Sequence, residues 1–159
     1  MQRKSAFVFA LMLISALFAA VVVCFAAEDV NMGTWKLNEA KSKISPGTPK
    51  NTTVVYAAAG DSVKVTVDGV AGDGKPTHTE WTGKFDGKDY PVTGDPATDM
   101  RAYKRANDHT LVLTGKKGGK VTDNIRIVVS ADGKSRSVNT TTTDSSGKKI
   151  HSVAVYDKQ

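Results

Sequence analysis

Three histidines, His78, His109 and His151, are the obvious candidates for proton transfer or metal ligation, and only His78 has an acidic neighbour at useful spacing, Glu80. In an extended strand that spacing puts both side chains on one face, opposite Trp81, so the pair points to solvent if the tryptophan points in. Gly115-Lys116-Lys117-Gly118-Gly119-Lys120-Val121-Thr122 has the look of a phosphate loop. It is one residue short, Val121 stands where Ser or Thr is needed, and a strand pattern follows where a helix N-terminus would be required. It reads as a hairpin tip. No serine sits in a nucleophile-elbow context, so no catalytic residue, metal ligand or cofactor is assigned. Arg101, Tyr103 and Arg105 share one strand face, and turned inward the arginines would offer charge-assisted donors to an acidic head group. The opposite face carries Met100, Ala102 and Lys104, so alternation predicts that Met100 and Ala102 point in and the arginines point to water.

The elements that must position these residues are short strands. A small residue followed by Gly-Lys recurs at Asp73-Gly74-Lys75, Asp86-Gly87-Lys88, Gly118-Gly119-Lys120, Asp132-Gly133-Lys134 and Ser146-Gly147-Lys148. This is hairpin chemistry, with φ > 0 expected at both central positions. Period-two patterns lie at 34–37, 52–57, 62–67, 77–85, 89–93, 100–105, 110–114, 121–129, 135–143 and 149–156. One helical turn fits Asn38 to Lys43 before Pro46, Gly47 and Pro49 end it, and the remainder reads as nearly all β. Inward faces follow for Val63, Val65 and Val67, for Trp81, Gly83 and Phe85, and for Ile125, Ile127 and Val129. The strand from Ser135 to Thr143 is hydroxyl-rich on both faces. Each buried hydroxyl without a partner costs about 1–3 kcal/mol, so this strand suits a partly wet barrel interior better than a dry core, the alternative being a sandwich edge strand.

Ahead of these strands, Arg3 and Lys4 precede a run from Ala6 to Ala27 whose one polar residue is Ser15, and Glu28 and Asp29 follow. That is the pattern of a targeting segment, with cleavage expected after Ala26, where Cys24 and Ala26 supply small residues. An uncleaved anchor is the rival, because about twenty apolar residues can cross a bilayer. Val21, Val22 and Val23 before Cys24 fit a lipid-attachment signal poorly. Removing residues 1–26 from the 159 leaves 133, enough for one domain, and leaves it without cysteine. Taking Arg3 and Lys4 from the 22 basic residues leaves 20 against 16 acidic ones, spread over turns, which lacks the clustered footprint of a nucleic-acid binder. Asn51-Thr52-Thr53 and Asn139-Thr140-Thr141 match the glycosylation acceptor pattern, which carries meaning only in a eukaryotic host.

Gly33-x-Trp35 opening the first strand resembles the lipocalin signature, and Gly33-Thr34-Trp35-Lys36-Leu37 is similar to the start of a fatty-acid-binding protein. Val153-Ala154-Val155-Tyr156-Asp157-Lys158 resembles that family's closing Tyr-acid-Lys stretch. The resemblance to the calycin superfamily, in particular to small exported lipocalin-like domains of bacteria, implies a single up-and-down β-barrel. Its specific residues lie at the two ends of the domain. The segment from Asn38 to Asn51 is too short and proline-rich for the helical pair of fatty-acid-binding proteins, and Ala154 stands where that family holds its ligand carboxylate with arginine. Lipocalins stack an arginine on the first-strand tryptophan, and the residue near the end of this chain is Lys158. Trp35 is expected to close the base of the barrel.

The fold class expected is therefore all-β, a single antiparallel up-and-down β-barrel of about 8 to 10 strands, with residues 1–26 as a signal helix and 27–159 as the barrel domain. The function expected is non-catalytic binding of a small hydrophobic or amphipathic ligand inside the barrel, lined by Tyr56, Val65, Trp81, Phe85, Tyr90, Leu111, Ile127 and Tyr156. The protein is expected to be periplasmic or extracellular, a monomer that touches a membrane only through an uncleaved N-terminal segment. The alternatives are a structural or interaction module with a filled core and, third, an enzyme that isomerises or hydrolyses a small molecule, which would need buried polar pairs with strongly shifted pKa values.

Overall fold

The computed structural model describes residues 29–143 and 146–159, so the targeting segment, its cleavage point and Cys24 lie outside the described residues. Ten strands follow one another in the order β1 (Gly33–Leu37), β2 (Lys50–Ala59), β3 (Ser62–Val70), β4 (Pro76–Gly83), β5 (Tyr90–Thr93), β6 (Met100–Asn107), β7 (Thr110–Lys117), β8 (Lys120–Val129), β9 (Ser135–Thr143) and β10 (Lys149–Lys158). Each pairs antiparallel with the next, and β1 closes onto β10 through Trp35↔Lys158, Lys36↔Asp157 and Leu37↔Tyr156. The result is a closed up-and-down barrel, not a two-layer sandwich. Closure leaves no free sheet edge for another chain to extend.

The Asn38 to Lys43 stretch forms one 3-10 turn, Glu39–Lys41, with the Asn38 side chain accepting from the Lys41 N–H at 3.1 Å. The Gly-Lys turns are built differently from the expectation. Their glycines are left-handed, but among the described residues no non-glycine has positive φ, so two successive left-handed positions occur at Gly118-Gly119 and not at the Asp-Gly turns. There the aspartate side chain does the work: Asp73, Asp86 and Asp132 accept the N–H of Lys75, Lys88 and Lys134 at 3.2, 3.0 and 3.1 Å. Gly74 N donates to Ala71 O and Gly133 N to Ser130 O, both at 2.9 Å, giving a tight turn followed by a left-handed glycine.

The barrel's lower end, where β1 starts, is stoppered by the preceding residues. The buried Asn31 accepts the Trp35 indole N–H on its carbonyl at 3.0 Å, while its side-chain amide donates to Asp29 Oδ1 at 2.8 Å and to Asp108 O at 3.3 Å. Lys158 Nζ reaches Val30 O at 3.4 Å, and Val30 and Met32 pack onto the core. The upper end carries the β7–β8 and β9–β10 hairpin tips.

Candidate functional site

Directly paired residues share a face, so the registers give the inner wall row by row. The lower rows hold large rings: Trp35 pairs with Val54, and Tyr56 pairs with Val65, which pairs with Trp81. Trp81 is the hub, with ring centroids 4.5 Å from Tyr103, 5.8 Å from Tyr90 and 6.3 Å from Phe85, to which it is parallel within 6°. Gly83 makes room for this, because a Cβ there would stand 2.6 Å from both the Trp81 and Tyr90 rings. The Trp81 N–H donates to Arg101 O at 3.1 Å.

All eight residues expected to line a ligand point inward. Tyr56, Val65, Trp81, Leu111, Ile127 and Tyr156 are at most 4% exposed, and Phe85 and Tyr90 pack against them partly buried. Together with Trp35 and Tyr103 they form a floor of mutually packed rings and aliphatic chains. Above it the side chains shrink. Ile127 pairs with Val138 and Val138 with Ala154; Ile125 pairs with Thr140 and Thr140 with Ser152; Asp123 pairs with Thr142 and Thr142 with Ile150. Apart from buried Ile127, the inward-facing residues of these three rows are only half-buried.

The strand carrying Arg101, Tyr103 and Arg105 is turned opposite to expectation. Tyr103 is buried and pairs with buried Leu113, Arg105 pairs with Leu111, and Met100 and Lys104 are exposed, whereas Ala102, paired with Thr114 on the face opposite Tyr103, is nevertheless buried. Each inward arginine finds a carboxylate supplied from elsewhere. Arg101 Nη2 bonds Asp95 Oδ2 at 2.7 Å, and Arg105 bonds Asp29 while its guanidinium carbon lies 5.3 Å from the Phe85 ring. Burial works against the Asp29 carboxylate, but hydrogen bonds from Arg105 and Asn31 outweigh it and hold the group below the usual carboxylate range.

A third interior arginine is absent from the set that sequence patterns single out. Arg136, on β9 between Val129 and Tyr156, is 3% exposed, with its guanidinium carbon 4.6 Å from the Trp35 ring, 4.9 Å from Tyr56 and 5.1 Å from Tyr156. The arginine over the first-strand tryptophan therefore comes from β9, and Lys158 stands at 5.4 Å from the same ring. The signal that could find it is its place in the inward set Arg136, Val138, Thr140 and Thr142, once Val129 is taken as inward.

Near the mouth, Asp123 lies over Gly115, where a Cβ would come within 2.7 Å of its Cγ and collide with Oδ1. Burial pushes this carboxyl up, against a hydrogen bond from Thr122 at 2.8 Å and the charge of Arg101. Burial likewise raises the Tyr103 phenol well above its usual value and the Tyr156 phenol to about 12; the Tyr156 hydroxyl donates to Asn51 O at 2.9 Å. The histidines do not converge. His78 meets Asp68 at 2.6 Å on the exposed face, His151 meets Thr141 at 2.9 Å, and His109 sits in the β6–β7 turn at the lower end. Among the described residues no group of three or more His, Cys, Asp and Glu could hold a metal ion.

No known protein family and no curated protein matches the chain. Among solved structures, mFAP2b bound to DFHBI is similar over 82% of this chain and 94% of its own, at 9% identity and TM-score 0.46. A redesigned β-barrel gives 12% identity over 82% and 92%, TM-score 0.41, and a de novo designed fluorescence-activating β-barrel 14% over 80% and 93%, TM-score 0.38. The fold rests on the strand pairing itself, which closes ten antiparallel strands into one up-and-down barrel.

Proposed function

We propose that this chain is an exported, lipocalin-like barrel that takes a small, partly apolar ligand into its interior and performs no chemistry on it. One observation carries the reading: the inner wall changes from packed aromatic rings below to a ring-free, half-buried mixture of Ile, Val, Ala, Thr, Ser and Asp123 on β8, β9 and β10 above. A wall mixing Ile125, Val138 and Ala154 with Thr140 and Ser152 suits a ligand with both apolar and hydrogen-bonding parts. The upper surface of the floor, including Tyr56, Trp81 and Tyr156, is where such a ligand would rest. The apolar run from Ala6 to Ala27 supports export. Asp123 and Tyr156 lie six residue rows apart on the β8–β9–β10 wall, about 20 Å at ~3.3 Å per residue, too far to act as an acid–base pair. Titration of the 27–159 domain with a naphthalene-sulfonate dye and with a fluorescent fatty acid tests the reading. Saturable signal displaced by unlabelled lipid is expected, and its absence refutes an open interior.

A second reading, a structural module of the cell envelope, is favoured by the dense packing of the floor, where Trp35 and Leu111 are wholly buried. It requires that core to continue to the mouth and predicts recovery of a protein partner from envelope extracts with no dye binding.

A further inference from the structure

We propose that the outer shoulder of the barrel, beneath the β7–β8 hairpin tip, docks on an anionic lipid bilayer. The inference goes beyond the ligand-binding reading and holds whether or not the interior admits a ligand. Met100 pairs with Lys116 and Lys116 with Val121, so these side chains form one row on the outer face. A register shift between Gly115 and Lys116 turns Val121 outward, although Asp123, two residues on, faces inward. Met100 and Val121, at 39% and 56% exposure, are the exposed large hydrophobic residues among those described. They stand two strand spacings apart, about 10 Å. Exposed Pro91, paired with Met100, extends the row.

Charge selects the partner. Stretches 116–122 and 143–149, which link β7 to β8 and β9 to β10 at the upper end, carry Lys116, Lys117, Lys120, Lys148 and Lys149 against Asp144. The lower tips at 59–62, 106–110 and 130–135 carry Asp61, Asp108 and Asp132 against Lys134. The two acids of the neighbouring β5–β6 loop are engaged, Asp95 by Arg101 and Asp99 by the Gly118 N–H at 2.9 Å. The upper end is thus the positive pole of the barrel. Lysines beside exposed aliphatic side chains match a layer of lipid phosphates over acyl chains. No aromatic ring among the described residues is exposed for base stacking, and closure leaves no strand edge for a protein partner to extend.

The 27–159 domain lacks both cysteine and the apolar N-terminal run, so a single cysteine carrying an NBD fluorophore reports contact made by the barrel alone. Thr142 pairs with Asp123, so Thr143→Cys sets the label beside the Val121 end of β8, and Asp61→Cys sets it at the lower end. Vesicles of equal parts phosphatidylcholine and phosphatidylglycerol should brighten and blue-shift the Thr143→Cys label and leave the Asp61→Cys label unchanged. Vesicles of phosphatidylcholine alone should move neither. Each lysine near an anionic surface contributes roughly fivefold, so the double variant Lys117→Gln, Lys120→Gln should weaken binding by about 25-fold. Salt at about 1 M, where screening reaches to about 3 Å, should release the domain. Val121→Ser should weaken binding by about threefold to tenfold at constant charge. All three side chains are exposed, so folding is not at stake. An equal response of the two labels, an equal response to neutral vesicles, or unchanged affinity in either variant overturns the docking surface. So does a response to single-stranded DNA in place of vesicles, which would assign the lysines to nucleic acid. Each of these failures leaves the dye titration, and the ligand-binding reading it tests, untouched.

Discussion

Trp81→Ala is the sharpest test of whether the aromatic floor carries the barrel. Trp81 is 1% exposed, touches Phe85, Tyr90 and Tyr103 ring to ring, and donates its indole N–H to Arg101 O. Truncation of a buried tryptophan costs about 3–5 kcal/mol, and with three rings and a hydrogen bond lost a figure of about 4 kcal/mol applies. Unfolding entropy of about 2.1 cal/mol/K per residue over roughly 130 residues gives ~0.27 kcal/mol/K, so the melting temperature should fall by about 15 °C. Trp81→Phe keeps a ring against Phe85 and Tyr103 but loses the N–H donor and part of the volume, and should cost roughly a third as much. Differential scanning calorimetry of the two variants and the wild type supplies the numbers. A drop below about 5 °C for the alanine variant would mean that the rings do not act as one packed unit, and would refute an aromatic floor that carries the barrel.

Gly115→Ala forces the Asp123 carboxylate out of its place and should destabilise by about 1–3 kcal/mol in urea denaturation; pairing it with Asp123→Ser should recover most of that loss, a coupling absent if the two sites are independent. Asp29 has its folded pKa below 3.8, so its stabilisation is full above that value and fades as pH falls below it; Asp29→Asn should be weaker than wild type at neutral pH and converge with it in acid, as read from urea midpoints across pH. Asp123 has its folded pKa above 3.8, so its favourable contribution belongs to low pH and declines as pH rises through the folded value; Asp123→Asn should therefore gain on the wild type toward neutral pH, and a variant that loses ground there would contradict the burial argument.

The strands are legible in the sequence because valine and tryptophan alternate cleanly with polar residues: Val63, Val65 and Val67, and Trp81 with Gly83 and Phe85, all face inward as their spacing requires. The β6 strand misleads for a physical reason. Alternation weighs a residue's own polarity, whereas Arg101 and Arg105 are carried inward by carboxylates on Asp95 and Asp29, six and 76 residues away, and by the Phe85 ring. Arg136 is hidden by the same cause: its companions Trp35, Tyr56 and Tyr156 come from β1, β2 and β10, and strand spacing alone does not show that these meet. At the Asp-Gly turns the residue type predicts the turn but not its conformation, because the aspartate carboxylate takes the N–H that a second left-handed residue would otherwise have positioned.

The barrel wall is uneven around its circumference. The four-residue β5 is held to β4 by Glu80↔Thr93 and Trp81↔Val92 and to β6 by Tyr90↔Arg101 and Pro91↔Met100, and Pro91 has no N–H to give. By contrast β9 and β10 share nine paired positions. The staves on either side of β5 are thus clasped by side chains, Trp81 against Tyr90 and Arg101 against Asp95, more than by the ladder. Slow breathing of the cylinder concentrates at this seam, so amide protons of Tyr90, Val92 and Thr93 exchange with deuterium ahead of those in the β9–β10 ladder.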